Sequence, residues 1–239
     1  MKKEFRLEYI NGKIFKLIED TDYPFTVDPI LLANFVDLSD KRKVLDLGCA
    51  GGIIEFLLLS KKESINIRAF EIQSSLVDDA TENFKKNSVF GKVELIHGDY
   101  LEENLHDSSL FDLVITNPPY MKKGSGKRPD NEVVYNACFE NLMNWEALVK
   151  MVSRRLSAKG SLCFIHKSTR FNEIIGTLLA NKYGIKRIQF VHSFENSMSH
   201  LFMVEAVKNS RIETKILEPL VIYDDNKEYK GFLKEIFSG

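Results

Sequence analysis

Lys43-Val44-Leu45-Asp46-Leu47-Gly48-Cys49-Ala50-Gly51-Gly52-Ile53-Ile54-Glu55-Phe56-Leu57-Leu58-Leu59 decides the fold. Lys43 to Leu47 reads as a buried strand. Gly48 to Gly52 is small and glycine-rich, the composition of a tight turn. Ile53 to Leu59 reads as an apolar helix. A strand, a glycine-rich turn and a helix N-terminus together make a nucleotide-cofactor site. The spacing is not Gly-x-Gly-x-x-Gly, because Ala50 stands at the middle position. A cofactor without a pyrophosphate does not need the full phosphate-grade glycine pattern.

Downstream, the pattern repeats. Ile65 to Glu71 reads as a second strand ending in an acid, about 20 residues after the turn, where a carboxylate suits the hydroxyls of a ribose. Ser74 or Ser75 is expected to cap a helix carrying Leu76, Ala80 and Phe84 at four-residue spacing. Lys92 to His97 reads as a third strand, followed by Gly98-Asp99-Tyr100, with His97 a strand-end histidine rather than a ligand. Phe111 to Thr116 reads as a fourth strand, and Asn117-Pro118-Pro119-Tyr120 ends it. Two prolines have no amide hydrogen for a ladder, and each holds its predecessor out of the helical region. The expected product is a stiff corner at the carboxyl end of a strand, the edge where open α/β sheets hold ligands.

Such a corner suits an exocyclic amine on a flat ring. The amine's lone pair is delocalised, and acceptors fixed around its two N–H bonds favour the pyramidal, positively charging nitrogen of the transition state. The side-chain oxygen of Asn117 and the carbonyl of Pro118 are two such acceptors. Tyr120 offers an aromatic face. Asn117-Pro118-Pro119-Tyr120 resembles motif IV of S-adenosylmethionine-dependent amino-methyltransferases, which modify adenine N6, guanine N2 or glutamine N5. Asp46, Gly48 and Gly52 match that family's motif I, and Ala50 departs from it. The resemblance implies S-adenosyl-L-methionine as cofactor. It implies Asn117, Pro118 and Tyr120 as catalytic residues. The implied cofactor contacts are Asp46, Gly48, Cys49, Gly52, Glu71, Ile72, Asp99, Tyr100 and Asn117, with Thr26 and Asp28 from the N-terminal part.

At the N-terminus, Phe5 to Ile18 reads as a hairpin turning at Asn11-Gly12. Asp28 and Pro29 are expected to cap and open a short helix over residues 30–36. Residues 121–131 form the most polar loop, with Lys122, Lys123, Lys127 and Arg128. It is read as a phosphate-contacting lid. Leu142, Trp145, Val149, Val152 and Leu156 mark one face of a helix that Gly160 is expected to end. Ser161 to Ile165 reads as a fifth strand, with Lys167 and Arg170 beyond it as further RNA contacts. A helix from Phe171 to Asn181 and strands Ile185–Val191 and His200–Val207 follow. The last two strands are expected to be antiparallel, because Ser193 to Ser197 is too short for a helical crossover. The tail carries Leu220 to Tyr223 and a short helix from Tyr229.

The expected fold is α/β: a Rossmann-like seven-stranded class I methyltransferase sheet, mostly parallel, with an antiparallel C-terminal hairpin. It forms one domain over residues 1–239, with a hairpin and short helix in 1–38, the core in 39–208 and an extension in 209–239. The run Asp28-Pro29-Ile30-Leu31-Leu32, His166-Lys167 and the tail from Glu228 to Phe237 resemble the bacterial tRNA(Val) adenine-N6 methyltransferase family. That resemblance implies an adenine beside the anticodon as substrate and tRNA as partner. Two other readings stand beside it: a methyltransferase acting on release-factor glutamine or on guanine N2 of RNA, and a degenerate fold that binds RNA without catalysis.

The bulk composition bounds these readings. The chain has 239 residues, 44% hydrophobic and 28% charged, enough for a full core. A net charge of −1 argues against a non-specific nucleic-acid binder, though not against a local patch. Cys49, Cys138 and Cys163 and the five histidines do not cluster, so no metal is expected. Glu55 interrupts the most apolar run, no signal-type core follows Met1, and the reading is a cytoplasmic protein without a membrane segment. A monomer is the favoured state.

Overall fold

A computed structural model describes residues 4–10, 13–19, 26–89, 91–101, 109–120, 133–135 and 144–237; for 4–10 and 13–19 it describes the backbone. Asn11-Gly12, Leu142 and Cys138 lie outside these residues. Strands β1 (Glu4–Ile10) and β2 (Lys13–Glu19) form an antiparallel hairpin in which Ile10 pairs with Lys13. Helix α1 (Asp28–Phe35) leads to β3 (Lys43–Leu47), α2 (Ile53–Lys61), β4 (Asn66–Glu71), α3 (Ser74–Lys86), β5 (Val93–His97) and β6 (Phe111–Thr116). Then come α4 (Trp145–Arg155), β7 (Leu156–Lys167), α5 (Phe171–Ala180), β8 (Tyr183–His192) and β9 (Ser199–Lys208). Two-residue strands β10 (Lys215–Ile216) and β11 (Leu220–Val221) and helix α6 (Gly231–Phe237) close the chain.

The strands after the hairpin form one sheet in the order β10-β8-β9-β7-β6-β3-β4-β5, with β11 also on β8. Only β9 runs antiparallel to its neighbours, which delivers the expected antiparallel C-terminal pair. The chain moves outward from β3 through β4 to β5, then returns to place β6 on the other side of β3. That reversal opens a crevice at the carboxyl ends of β3 and β6, the ligand position of such sheets.

Alternation along the strands sorts the core into two layers. Val44, Ile67, Ala69, Leu113, Ile115, Cys163 and Ile165 join α1, α2 and Leu233 and Ile236 of α6 on one face. Leu45, Leu47, Phe70, Val114, Leu162 and Phe164 join α4 and α5 on the other. By the same alternation Asp46 and Glu71 face the α2 side. Lysines at the end of α2 tie α1 down: Lys61 Nζ donates to the carbonyls of Ala33, Asn34 and Val36 at 2.9, 3.1 and 2.9 Å. These are orphan carbonyls at the end of a helix, where a cation is favoured.

Three local expectations differ. Neither Ser74 nor Ser75 caps α3, whose N-cap is Gln73 without a side-chain bond. Asp28 lies in the first turn of α1 rather than capping it, because its carboxylate is engaged elsewhere. Gly160 does not end a helix: α4 stops at Arg155, and β7 begins at once with Leu156, whose pairing to Phe111 extends the strand.

The turn after β3 is backbone-strained where it departs from the glycine pattern. Ala50 sits at φ 47° and Gly52 at φ 87°. A Cβ on Gly52 would come within 2.5 Å of the fully buried Phe84 ring. Gly52→Ala should therefore lower stability by about 2 kcal/mol or more, from left-handed strain plus overpacking. Ala50→Gly should instead raise it by about 0.5 kcal/mol, since relief of strain slightly exceeds the added chain entropy. Urea denaturation of the two variants checks the opposite signs.

Candidate active site

The glycine turn is stitched to β4. The amides of Gly48 and Cys49 both donate to the carbonyl of Phe70 at 2.9 Å. The Glu71 carboxylate accepts from Ala50 N through Oε2 and from Gln73 N through Oε1, each at 2.9 Å. A carboxylate oxygen can accept more than one bond, so these amide bonds still allow Glu71 to take a ligand hydroxyl. Burial pushes Glu71 above its usual carboxylate range, and the amide bonds hold it down. Asn83 Nδ2 of α3 donates to Gly51 O at 2.9 Å and closes the turn from behind.

Two acids lie beneath the turn. Asp46 and Glu55 are fully buried, and none of their four side-chain oxygens has a hydrogen-bond partner of good geometry among the described residues. Burial pushes Asp46 up to about 7. Burial and the adjacent Asp46 charge push Glu55 well above its usual range. Burial and their mutual charge therefore both oppose full ionisation of the pair. Cys49 is also buried, and its thiol is pushed well up by burial and these acids, so it is an inert packing residue rather than a nucleophile.

The acceptor corner adjoins this turn across the sheet. Thr116 Oγ1 donates to Leu47 O at 2.8 Å, locking the end of β6 to the end of β3. Asn117 to Tyr120 then leave the sheet without regular structure. The phenol oxygen of Tyr120 lies 2.8 Å from Asp28 Oδ2 and 2.6 Å from Asn117 Oδ1. A phenol has one proton, so it cannot donate to both. Either Asp28 carries a proton, towards which its burial pushes it, or the Asn117 amide turns its NH2 group to the phenol. Both arrangements fix the Asn117 amide through Tyr120 and the start of α1. Tyr120 packs on His166, ring centres 5.2 Å apart, and His166 on Trp145 at 6.0 Å. Burial and the Arg170 charge lower His166 to about 3, so the ring is neutral. Its Nδ1 accepts from Lys167 N at 2.8 Å, which puts the ring proton on the buried Nε2.

The model of the methyltransferase small domain matches residues 28–187, about two thirds of the chain. The chain belongs to that family. It is 22% identical over 182 residues to the tRNA1(Val) (adenine(37)-N6)-methyltransferase of Aliivibrio salmonicida, covering 76% of each chain. It is 23% identical over 211 residues to the protein of the same name from Actinobacillus pleuropneumoniae serotype 7, covering 87% of this chain and 86% of that one. A predicted O-methyltransferase from Agrobacterium tumefaciens shares the fold, with a TM-score of 0.68 at 19% identity over 88% of this chain and 95% of that one.

S-adenosylmethionine is the cofactor of this methyltransferase. The residues fit it. The small turn between β3 and α2, with the acid that closes β4 bonded to it, suits a nucleoside that brings no pyrophosphate to require the missing glycine. Of the remaining residues of the expected site, Ile72 follows the end of β4, and Asp99 and Tyr100 follow the end of β5. Ile72 is half-exposed just after Glu71. Asp99 spends one oxygen on Leu101 N at 2.8 Å, which fixes its loop, and Tyr100 packs on the α4-side core. Thr26 is exposed ahead of α1. Lys122, Lys123, Lys127 and Arg128 lie outside the described residues. Arg170 is nearly buried and pairs with Glu173 at 2.6 Å, so it is committed to the protein, whereas Lys167 lies partly open beside His166. Sequence reasoning missed the Asp46–Glu55 pair, the Thr116 tie and the buried His166. Among the described residues no group of His, Cys, Asp and Glu is placed to hold a metal, and no helix is long and apolar enough to cross a membrane. An open cleft lined by Lys43, Asn66, Arg68, Lys92 and Phe111 lies at the opposite, amino-terminal edge of the sheet.

A buried acid whose folded proton affinity is raised makes the fold less stable as pH rises from its unfolded value towards its folded one. Glu55→Gln removes that penalty while keeping the shape. The apoprotein melting temperature of Glu55→Gln should match the wild type near pH 4 and exceed it increasingly towards pH 8, by several degrees. Melting curves across that range check the sign.

Proposed function

We propose that the protein transfers a methyl group from S-adenosylmethionine to the exocyclic N6 amine of an adenine in tRNA, the acceptor that the names of its relatives state for them, and that this adenine lies beside the anticodon. The observation that carries this reading is the corner at the end of β6, where Asn117 is fixed by Tyr120 and Asp28 immediately beside the cofactor turn.

The cofactor supplies an electrophilic methyl on a sulfonium. Glu71 would take the ribose hydroxyls, with its geometry set by the Ala50 and Gln73 amides. Asp46 and the Gly48–Gly52 turn would lie under the methionine part, and Asp99 would face the adenine. Asn117 Oδ1 and the Pro118 carbonyl would accept the two N–H bonds of the target amine and hold its lone pair in line with the methyl, about 3–3.5 Å away. As positive charge develops on nitrogen, these acceptors would stabilise it, and the displaced N–H proton would pass to solvent after methyl transfer. Tyr120 would stack on the base. An anticodon loop is already unpaired, so extruding its adenine costs less than opening a duplex. Lys122, Lys123, Lys127, Arg128 and Lys167 would follow the phosphates.

Reaction with a tRNA pool followed by digestion and mass spectrometry should find N6-methyladenosine. Methylguanine, or methyl only on protein glutamine, would overturn the acceptor assignment. Asn117→Ala should slow single-turnover methylation by about a hundredfold or more while cofactor affinity changes little. Glu71→Ala should weaken cofactor binding by about tenfold or more through loss of charge-assisted bonds. Neutralising the four loop cations should flatten the salt dependence of tRNA binding.

A further inference from the structure

An amide side chain has two ends of nearly equal shape and opposite hydrogen-bonding sense. Asn117 serves an amine only with its oxygen end turned to it; with the NH2 end there, donor would face donor. The two prolines fix the backbone of the corner, but not the terminal torsion of the half-buried Asn117. A contact from outside the strand can choose its face. The phenol oxygen of Tyr120 stands 2.6 Å from the amide and 2.8 Å from Asp28 Oδ2. Both of these groups are held from behind. The Tyr120 ring packs on His166, and the His166 ring accepts from Lys167 N. Asp28 lies in the first turn of α1, followed by Pro29, with Val27 O accepting from the amides of Ile30 and Leu31 at 3.0 Å each. Ile30, Leu31 and Leu32 bury that helix against the sheet.

We propose that Asp28 is a positioning residue for methyl transfer: its carboxylate accepts the Tyr120 phenol proton, the phenol oxygen accepts from the NH2 end of Asn117, and the amide oxygen is left facing the target amine. This rests on the reading of Asn117 as the acceptor for that amine. Every bond in the chain then has one donor and one acceptor, running from amide to phenol to carboxylate. The reverse order, a protonated Asp28 donating to the phenol and the phenol to the amide oxygen, would spend that oxygen on Tyr120 and turn the NH2 end away from it. Burial favours a protonated Asp28, while the phenol bond and the nearby His200 and Lys167 oppose it. A phenol bonds a carboxylate more strongly than a neutral acid. Asp28 thus acts on the acceptor through Tyr120, where the resemblance alone implied a direct contact with the cofactor.

The test is a double-mutant cycle on single-turnover methylation of a tRNA pool, with the affinities for S-adenosylmethionine and tRNA measured beside it by calorimetry. Tyr120→Phe keeps the ring and removes the phenol oxygen. It should slow methylation by about tenfold to a hundredfold, the scale of a small misplacement of a reacting group, while both affinities stay near wild type. Asp28→Ala should do the same, and Asp28→Asn, which keeps an acceptor oxygen, should recover part of the loss. Combining Asp28→Ala with Tyr120→Phe should be no slower than Tyr120→Phe alone, within about twofold, because the path from Asp28 to Asn117 is already cut. Losses that multiply in the double variant, a Tyr120→Phe rate equal to wild type, or an Asp28→Ala defect that lies wholly in cofactor affinity would each overturn the proposal. In all three cases a slow Asn117→Ala leaves the acceptor assignment standing. An Asn117→Ala rate equal to wild type would overturn both readings together.

Discussion

The carboxylate of Glu71 bonds to the amide of Ala50 in one loop and of Gln73 in the next, and the site depends on that clamp. It holds a non-glycine residue in a left-handed conformation that the chain would not otherwise choose. It brings the end of β4 to the turn after β3. From there Thr116 passes the alignment to β6, and Tyr120 passes it on to Asp28 at the start of α1. The links to Ala50, Leu47 and Asp28 join groups far apart in sequence. The rigidity of the corner from Asn117 to Tyr120 is thus set by the turn after β3 as well as by its prolines.

The second constraint is electrostatic. Three acids, Asp46, Glu55 and Glu71, come together at one turn, with the His97 imidazole behind Glu71, an arrangement that burial alone would disfavour. Elsewhere the protein treats buried charge in the ordinary way: Glu205 on β9 is buried but accepts from Arg187 at 2.6 Å and Lys186 at 2.9 Å. Asp46 and Glu55 have no such cation bonded to them among the described residues.

Much of this was legible in the sequence. The β3–turn–α2 run, the acid closing β4 and the proline corner after β6 each carry a local signal, and those signals placed the parallel sheet. What was not legible depended on tertiary contact. Glu55 reads as an interruption of an apolar run until alternation along β3 puts Asp46 on the face that α2 covers. Asp28 reads as a helix cap until Tyr120, 92 positions on, claims its carboxylate. Ser74 and Ser75 carry a capping signal that α3 does not use, and Gly160 carries a breaker signal inside a strand whose pairing with β6 overrides it. Arg170 reads as a phosphate ligand until Glu173 is found beside it.

The central claim is that the cofactor turn and the Asn117 corner face one another across β3 and β6 as one reaction centre. A crystal structure with S-adenosylhomocysteine tests it most directly. The account predicts ribose hydroxyls on Glu71 and the sulfur directed at the Asn117 side chain, at a separation that leaves room for a methyl group and an amine. A nucleoside bound with its sulfur turned away from Asn117, or seated at the opposite edge of the sheet, would contradict it.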